Sequence, residues 1–333
     1  MTTTAVMGAG SWGTAFAIVL ADAGNEVKLW GRREETCKNI NELHENTDYL
    51  PGIELPKNIH ATSDPAEALA AADVVVLAVP SQTLRQNLND WGSHIRSDAV
   101  MVSLMKGVEL GTHLRMSQVI AELTGAGPER IAVISGPNLA KEIARREPAA
   151  SVVSCADESV ALRLQQLCHT QFFRPYTNTD VVGCELSGTV KNIIGLAVGV
   201  CDGLGYGDNT KASVITRGLA ETVRLGVNMG ADPMTFMGLA GLGDLVATCS
   251  SPLSRNRTFG EKLGRGLTVE EIMAQTRQVA EGVKSCTSVA ELAHMHNVDM
   301  PITDHVRALV DGEMTPTELV NALLGRSTKP ETH

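Results

Sequence analysis

Residues 72–80 read Ala-Asp-Val-Val-Val-Leu-Ala-Val-Pro, and no feature of the chain limits its fold more. A strand with one wet face alternates apolar and polar residues, whereas this run is apolar at every position after Asp73. It must be covered on both faces, which is the situation of a central strand in a parallel sheet with helices on either side. Further short apolar runs at 5–7, 27–30, 100–104, 131–134 and 152–153 alternate with helical periodicity at 14–23, 84–91 and 160–167. Such alternation predicts an α/β unit with a mostly parallel, doubly wound sheet.

After residue 179 the pattern changes. Two long helical stretches (181–200 and 212–229) are followed by two helix-opening capping boxes, Thr268 to Glu271 and Thr315 to Glu318 with Pro316 in the first turn. The second half is therefore expected to be all-helical, with the nearly uniformly apolar stretch 181–200 at its centre. The predicted division is 1–189 and 190–333, without a Pro/Ser/Gly-rich linker, so the two domains should pack together. The tail after Gly325 reads as disordered.

Composition narrows the function. Acidic residues outnumber basic ones by 38 to 28, giving a formal charge of −10 that disfavours nucleic acid and anionic membranes as partners. Aromatic residues are 3%, too few for a base-stacking platform. The longest apolar run, 193–201, is short of the ~20 residues of a membrane span. The N-terminus lacks the basic-then-apolar pattern of a secretory signal, so a cytoplasmic location is expected. Seven cysteines without a C-x-x-C pair fit buried, reduced thiols. His294 and His296, two residues apart on a helix, point to different faces, and no metal site is expected.

Gly8-Ala9-Gly10-Ser11-Trp12-Gly13 follows the first strand and opens the first helix. In that context Gly8 serves the tight turn, Gly10 admits a pyrophosphate, Gly13 lets the helix pack closely, and the helix N-terminus offers free N–H groups to the anion. Where an NAD site usually carries a carboxylate for the ribose, the second strand ends in Trp30-Gly31-Arg32-Arg33. Two guanidinium groups suit a 2′-phosphate, which favours NADP or dual use with NAD; a solvated basic turn is the alternative. Lys106 ends a strand, where α/β sheets bind ligands. Gly136-Pro137-Asn138-Leu139-Ala140 follows another strand and opens a helix, which reads either as a second anion site or as a proline-started helix.

Lys191 sits on the most apolar helix without an acidic residue three or four positions away. Burial disfavours the charged form of an amine, which brings it toward proton transfer near neutral pH; a lysine snorkelling from the helix to water is the plainer reading. Asp244, in the glycine-spaced segment 238–245, is placed to orient a lysine or accept from substrate hydroxyls, with Thr248 one helical turn on. Ser254, Arg255, Asn256 and Arg257 form an anion-binding cluster in an acidic chain.

These motifs together resemble the bacterial NAD(P)-dependent glycerol-3-phosphate dehydrogenase family over nearly the whole chain: residues 8–15 (GAGSWGTA), 78–82 (AVPSQ), Lys106-Gly107, 135–142 (SGPNLAKE), Lys191-Asn192, 202–204 through Asn209, 217–221 (RGLAE), 241–248 (GLGDLVAT) and 254–257 (SRNR). The resemblance implies a Rossmann domain followed by an all-α domain like that of 6-phosphogluconate dehydrogenases. It implies a cofactor site at Ser11, Trp12, Arg32, Arg33, Tyr49, Lys106, Ala140, Arg255, Val279 and Glu281, beside Gly8, Gly10 and Gly13. It further implies a substrate site at Lys106, Gly136, Asn138, Lys191, Asp244, Ser254, Arg255 and Asn256, with Lys191 moving the proton and Lys106 and Asp244 orienting it. The substrate pair would be dihydroxyacetone phosphate and sn-glycerol 3-phosphate, feeding glycerophospholipid synthesis, and a homodimer is compatible with this plan. Asn138 and Leu139 depart from the Ser or Thr and the Phe common there. A hydroxyacid dehydrogenase of the same two-domain plan, or a non-catalytic NADP sensor, are the competing functions.

Overall fold

The computed structural model describes residues 2–275 and 280–325. Eight strands form one sheet: β1 (Thr3–Met7), β2 (Glu26–Trp30), β3 (Ile59–Thr62), β4 (Val74–Leu77), β5 (Val100–Ser103), β6 (Ile131–Ser135), β7 (Ala149–Cys155) and β8 (Phe173–Asn178). Their order is β3-β2-β1-β4-β5-β6-β7-β8. Every pairing is parallel except β6 with β7, where Ser135 stands opposite Val152. β4 lies inside the sheet with all four residues buried. Its side chains alternate between two apolar cores, Val74 and Val76 entering one and Val75 and Leu77 the other, so the continuous apolar run serves both faces at once.

Two strands carry no apolar run in the sequence. β3 is an edge strand of four residues that buries only Ile59 and Ala61. β8, the other edge, contains Pro175, which lacks the N–H that a central strand must donate.

The chain crosses from β3 back to β4 on the far side of β1, so the strand order reverses between β1 and β4. At this switch point the loops after the two strands nearly touch. Gly8 has φ +137°, and a Cβ there would lie 2.5 Å from the carbonyl oxygen of Ala78, so no other residue fits.

The second domain is built around the central helix Val181–Gly203, most of which is buried. Its length and apolarity match those of a membrane-crossing helix, yet protein surrounds it. The first turns pack on the first domain: Cys184 lies on Val152 of the sheet, and Glu185 accepts from the backbone N–H (2.8 Å) and hydroxyl (2.6 Å) of Ser117 in the helix Met116–Thr124. Residue 189, the division expected from sequence, lies inside this helix, which runs unbroken from one domain's packing into the other's. The helix Arg255–Gly264 lies backbone to backbone on the central one; a Cβ on Gly199 would fall 2.0 Å from the Arg257 carbonyl oxygen. This contact sets Ser254, Arg255 and Asn256 beside the middle of the central helix. Both capping boxes form, Thr268 with Glu271 and Thr315 with Glu318. All seven cysteines are free and buried; burial pushes the Cys184 thiol up to about 12, away from reactivity. The tail beyond Gly325 lies outside the described residues.

Candidate active site

The glycine loop leads into the helix Ser11–Asp22, capped by Gly10 without any side-chain bond and without an acidic residue in its first turn. No side chain of the loop caps its leading N–H groups, the arrangement in which a helix N-terminus binds an anion. A Cβ on Gly10 would meet nothing within 4 Å, so there is space above the loop, while a Cβ on Gly13 would strike the Gly8 carbonyl oxygen at 1.9 Å. The Trp12 indole N–H is buried with no partner among the described residues. The Ser11 hydroxyl donates to the Tyr49 carbonyl (3.1 Å), and the Asn46 amide donates to the Ala9 carbonyl (2.9 Å) and the Thr14 hydroxyl (2.8 Å), tying residues 46–49 over the loop.

The two arginines after β2 differ. Arg33 pairs with Asp48 at 2.8 Å and lies 5.7 Å over the Tyr49 ring. Arg32 is exposed, with no ion pair found among the described residues. The 2′-phosphate site anticipated for both guanidinium groups therefore has one anchored member and one open one.

At the same C-terminal end of the sheet, Lys106 follows β5 and Gly136, with φ +146°, leaves β6. Lys106 Nζ donates to the Gly136 carbonyl (3.3 Å) and to Asp244 Oδ2. The other carboxylate oxygen of Asp244 is 2.9 Å from Lys191 Nζ, which also donates to the Thr248 hydroxyl at 2.6 Å. One buried carboxylate thus joins two ammonium groups from different domains. Burial, aided by the neighbouring Lys191 charge and opposed by Asp244, brings the Lys106 amine down to about 8. Glu281, at the start of the helix Glu281–Met295, is pushed upward by burial, partly offset by the charges of Arg255, Lys106 and Lys191. Several polar atoms here are buried and have no partner among the described residues: both amide atoms of Asn138, Nδ2 of Asn192, and the hydroxyls of Ser135 and Ser285. Native interiors rarely leave such groups unmet, so their clustering marks a site prepared for a polar guest.

Residues 3–161 match the family described as NAD-dependent glycerol-3-phosphate dehydrogenase N-terminus, and residues 180–321 its C-terminus. The chain belongs to the NAD-dependent glycerol-3-phosphate dehydrogenase family. It is 67% identical to the NAD(P)+ glycerol-3-phosphate dehydrogenase of Streptomyces griseus, over 98% of this chain and 97% of that one. It is 63% identical to the protein of that name from Thermobifida fusca, over 99% of each. Among solved structures, glycerol-3-phosphate dehydrogenase from Coxiella burnetii matches with a TM-score of 0.93 at 37% identity, covering 98% of this chain and 99% of that one. A D-mandelate dehydrogenase at 14% identity and a TM-score of 0.62 shares the fold.

In this family member the expected phosphate cluster divides by role. The Ser254 hydroxyl caps the helix Arg255–Gly264 by accepting from the Arg257 N–H at 3.3 Å. Asn256 donates one amide N–H to Asn192 Oδ1 (2.8 Å) and accepts from the Gly282 N–H (2.9 Å), which orients the side chain and leaves its second N–H uncommitted by those bonds. Arg257 pairs with Asp202 at 2.7 Å and braces the central helix. Asn138 lies on the loop beyond Gly136, and Ala140 starts the short helix Ala140–Ala144. Val279 lies outside the described residues. His294 pairs with Asp304 and His296 with Asn228, and no cluster of metal-ligating side chains occurs among the described residues.

Sequence reasoning left Asn46, Asp48 and Asn192 without a role and saw Thr248 only as a neighbour of Asp244. The four-residue spacing of Asp244 and Thr248 on one helix was the available signal for Thr248. Nothing local distinguished Asn46 or Asp48.

Proposed function

We propose that this protein catalyses the reversible NAD(P)H-dependent reduction of dihydroxyacetone phosphate to sn-glycerol 3-phosphate in the cytoplasm, supplying glycerophospholipid synthesis. The observation that carries the reading is the Lys106–Asp244–Lys191 junction beyond the C-terminal ends of the central strands. The names of the relatives at 63% and 67% identity support it.

A dinucleotide fits the residues present: uncapped N–H groups behind Gly10, free space above it, and the unpartnered Trp12 indole. Gly8, Gly10, Ser11, Trp12 and Gly13 would hold its pyrophosphate end, Arg32, Arg33 and Tyr49 its adenosine end, and Ala140 and Glu281 the remainder. When bound, it supplies the hydride equivalent and its acceptor. Lys191 would protonate the substrate oxygen during reduction and take the proton back during oxidation. Asp244 fixes Lys191 and keeps its ammonium form matched by a counter-charge. Lys106 would place positive charge beside both ligands. Arg255, with the helix N-terminus capped by Ser254, would hold the phosphate, while Asn256 would act by bracing Asn192. The open amide of Asn138 can donate and accept toward the substrate.

The deciding experiment follows NADPH oxidation with dihydroxyacetone phosphate, unphosphorylated dihydroxyacetone and a panel of keto acids. Turnover confined to the phosphate ester is expected. Turnover with a carboxylate instead would make the protein a hydroxyacid dehydrogenase, and cofactor binding without turnover would make it a sensor.

A further inference from the structure

A small crevice, partly open to solvent, lies between the central helix, the helix Asp208–Asn228 and the segment Leu239–Gly243. Ser187, Lys191, Thr222 and Gly241 line it together with three apolar side chains, and its volume of about 10 Å³ has room for one water molecule. Ser187 and Lys191 are one helical turn apart and share a face.

The hydroxyl of Ser187 sets this crevice apart. Buried helical hydroxyls ordinarily donate to the carbonyl four residues back. Thr189 does so to Glu185 (2.8 Å) and Thr222 to Gly218 (2.8 Å). Ser187 is 2% exposed, yet its hydroxyl has no partner among the described residues. Around the crevice, then, Ser187 can donate or accept, and the Thr222 oxygen can accept. Lys191 has one N–H left beyond those directed to Asp244 and Thr248. Water is the guest whose size and whose two donors and two acceptors meet that set.

We propose that this crevice holds one ordered water, positioned by Ser187, that returns a proton to Lys191 after each reduction. The crevice is partly open to solvent, so it offers Lys191 a path for protons that does not pass through the ligand site at the C-terminal ends of the strands. In the forward step an N–H bond of the Lys191 ammonium breaks and its proton goes to the substrate oxygen. That bond is the one not held by Asp244 or Thr248, so the neutral amine first turns its lone pair from the substrate oxygen toward the crevice, and there takes a proton from the water, which recovers one from solvent. One proton is consumed per reduction, and no electrons move in the relay. The proposal rests on Lys191 as proton donor.

Ser187→Thr keeps the hydroxyl and Ser187→Val replaces it with a methyl group of nearly equal shape, so any packing effect is common to both. Expected for Val relative to Thr are a kcat lower by roughly 10-fold, an unchanged KM for dihydroxyacetone phosphate and a larger solvent isotope effect on kcat. Equal kcat and equal isotope effects in the two variants would overturn the relay. A high-resolution structure of the unsubstituted protein provides a readout independent of turnover and of variant folding: a water bonded to Ser187 Oγ and Lys191 Nζ is expected, and an empty or apolar-filled crevice would overturn the proposal. A Lys191→Met variant with unimpaired kcat would instead overturn the assignment of Lys191 itself.

Discussion

Asp244 Oδ1 stands 2.9 Å from Lys191 Nζ, while Oδ2 of the same carboxylate receives the Lys106 ammonium. The two amines come from different domains and would repel each other without it. The carboxylate therefore has two effects: it lets both cations be buried close together, and it fixes the distance between the lysine proposed to move the proton and the lysine beside the ligands.

Two substitutions at this junction should differ in their effect on folding. Lys191→Met, close in volume and unable to carry a proton, is expected to lower kcat by ~10²–10⁴-fold while NADPH affinity and Tm hold. Asp244→Asn keeps the shape but leaves two buried ammonium groups unmatched, so loss of both kcat and several degrees of Tm is expected. Steady-state kinetics beside thermal melts check both, and an active Lys191→Met enzyme would shift suspicion to Lys106.

Burial brings the Lys106 amine down to about 8, so it loses its charge as the pH rises past that value. A phosphate ester and a dinucleotide are both anionic, and KM for dihydroxyacetone phosphate is expected to climb above pH 8. The free amine of an unfolded chain holds its proton up to its ordinary value of 10.5. Between about 8 and 10.5 the unfolded state therefore binds more protons, and this group's contribution to stability rises with pH. Substrate binding and stability should thus move in opposite directions across that window. A flat KM from pH 7 to 9 would show that the Lys106 charge does not assist binding.

The contrast between an open Arg32 and an anchored Arg33 makes the cofactor preference testable one residue at a time. Arg32→Ala is expected to raise the NADPH KM by ~10–100-fold, the loss of one or two charge-assisted hydrogen bonds at about 1.5–3 kcal/mol, and to leave NADH nearly unaffected. Arg33→Ala should harm both cofactors, because it also frees Asp48 and removes the contact with Tyr49. Equal losses for NADPH and NADH in Arg32→Ala would refute a 2′-phosphate role.

Glu221 accepts from the backbone N–H groups of Ile302 (2.8 Å) and Thr303 (3.4 Å) at the start of the helix Pro301–Val310. Burial raises its carboxyl to about 7, with those two N–H bonds opposing the rise. The folded state therefore binds more protons than the unfolded one between 4.5 and about 7. Stability from this group is fully present below 4.5 and declines as pH rises through 7, by about 3 kcal/mol at most. Glu221→Gln should abolish that decline, seen as denaturant midpoints at pH 5 and 7.5 that differ less than in the unsubstituted protein.

The sequence by itself determined the class of the fold and the local pieces of the site. The apolar run at 72–80, the glycine loop after β1 and the capping boxes each act within one helix or strand, where side-chain period and backbone sterics decide the outcome. Pairing across long separations lay beyond its reach. The Lys106–Asp244 bond joins residues 138 apart, and nothing near either one names the other. Arg33 looked free because its carboxylate, Asp48, returns only when residues 46–49 fold back over the glycine loop. That Asn256 is held by Asn192 and Gly282 was equally hidden, because packing of Gly199 on the next helix is what brings them together. β3 and β8 escaped detection because edge strands bury one face and need no apolar run. The tertiary structure alone decided which polar groups are satisfied and which, like those of Asn138 and Ser187, are left buried and unpaired, because satisfaction depends on every neighbour that packing delivers.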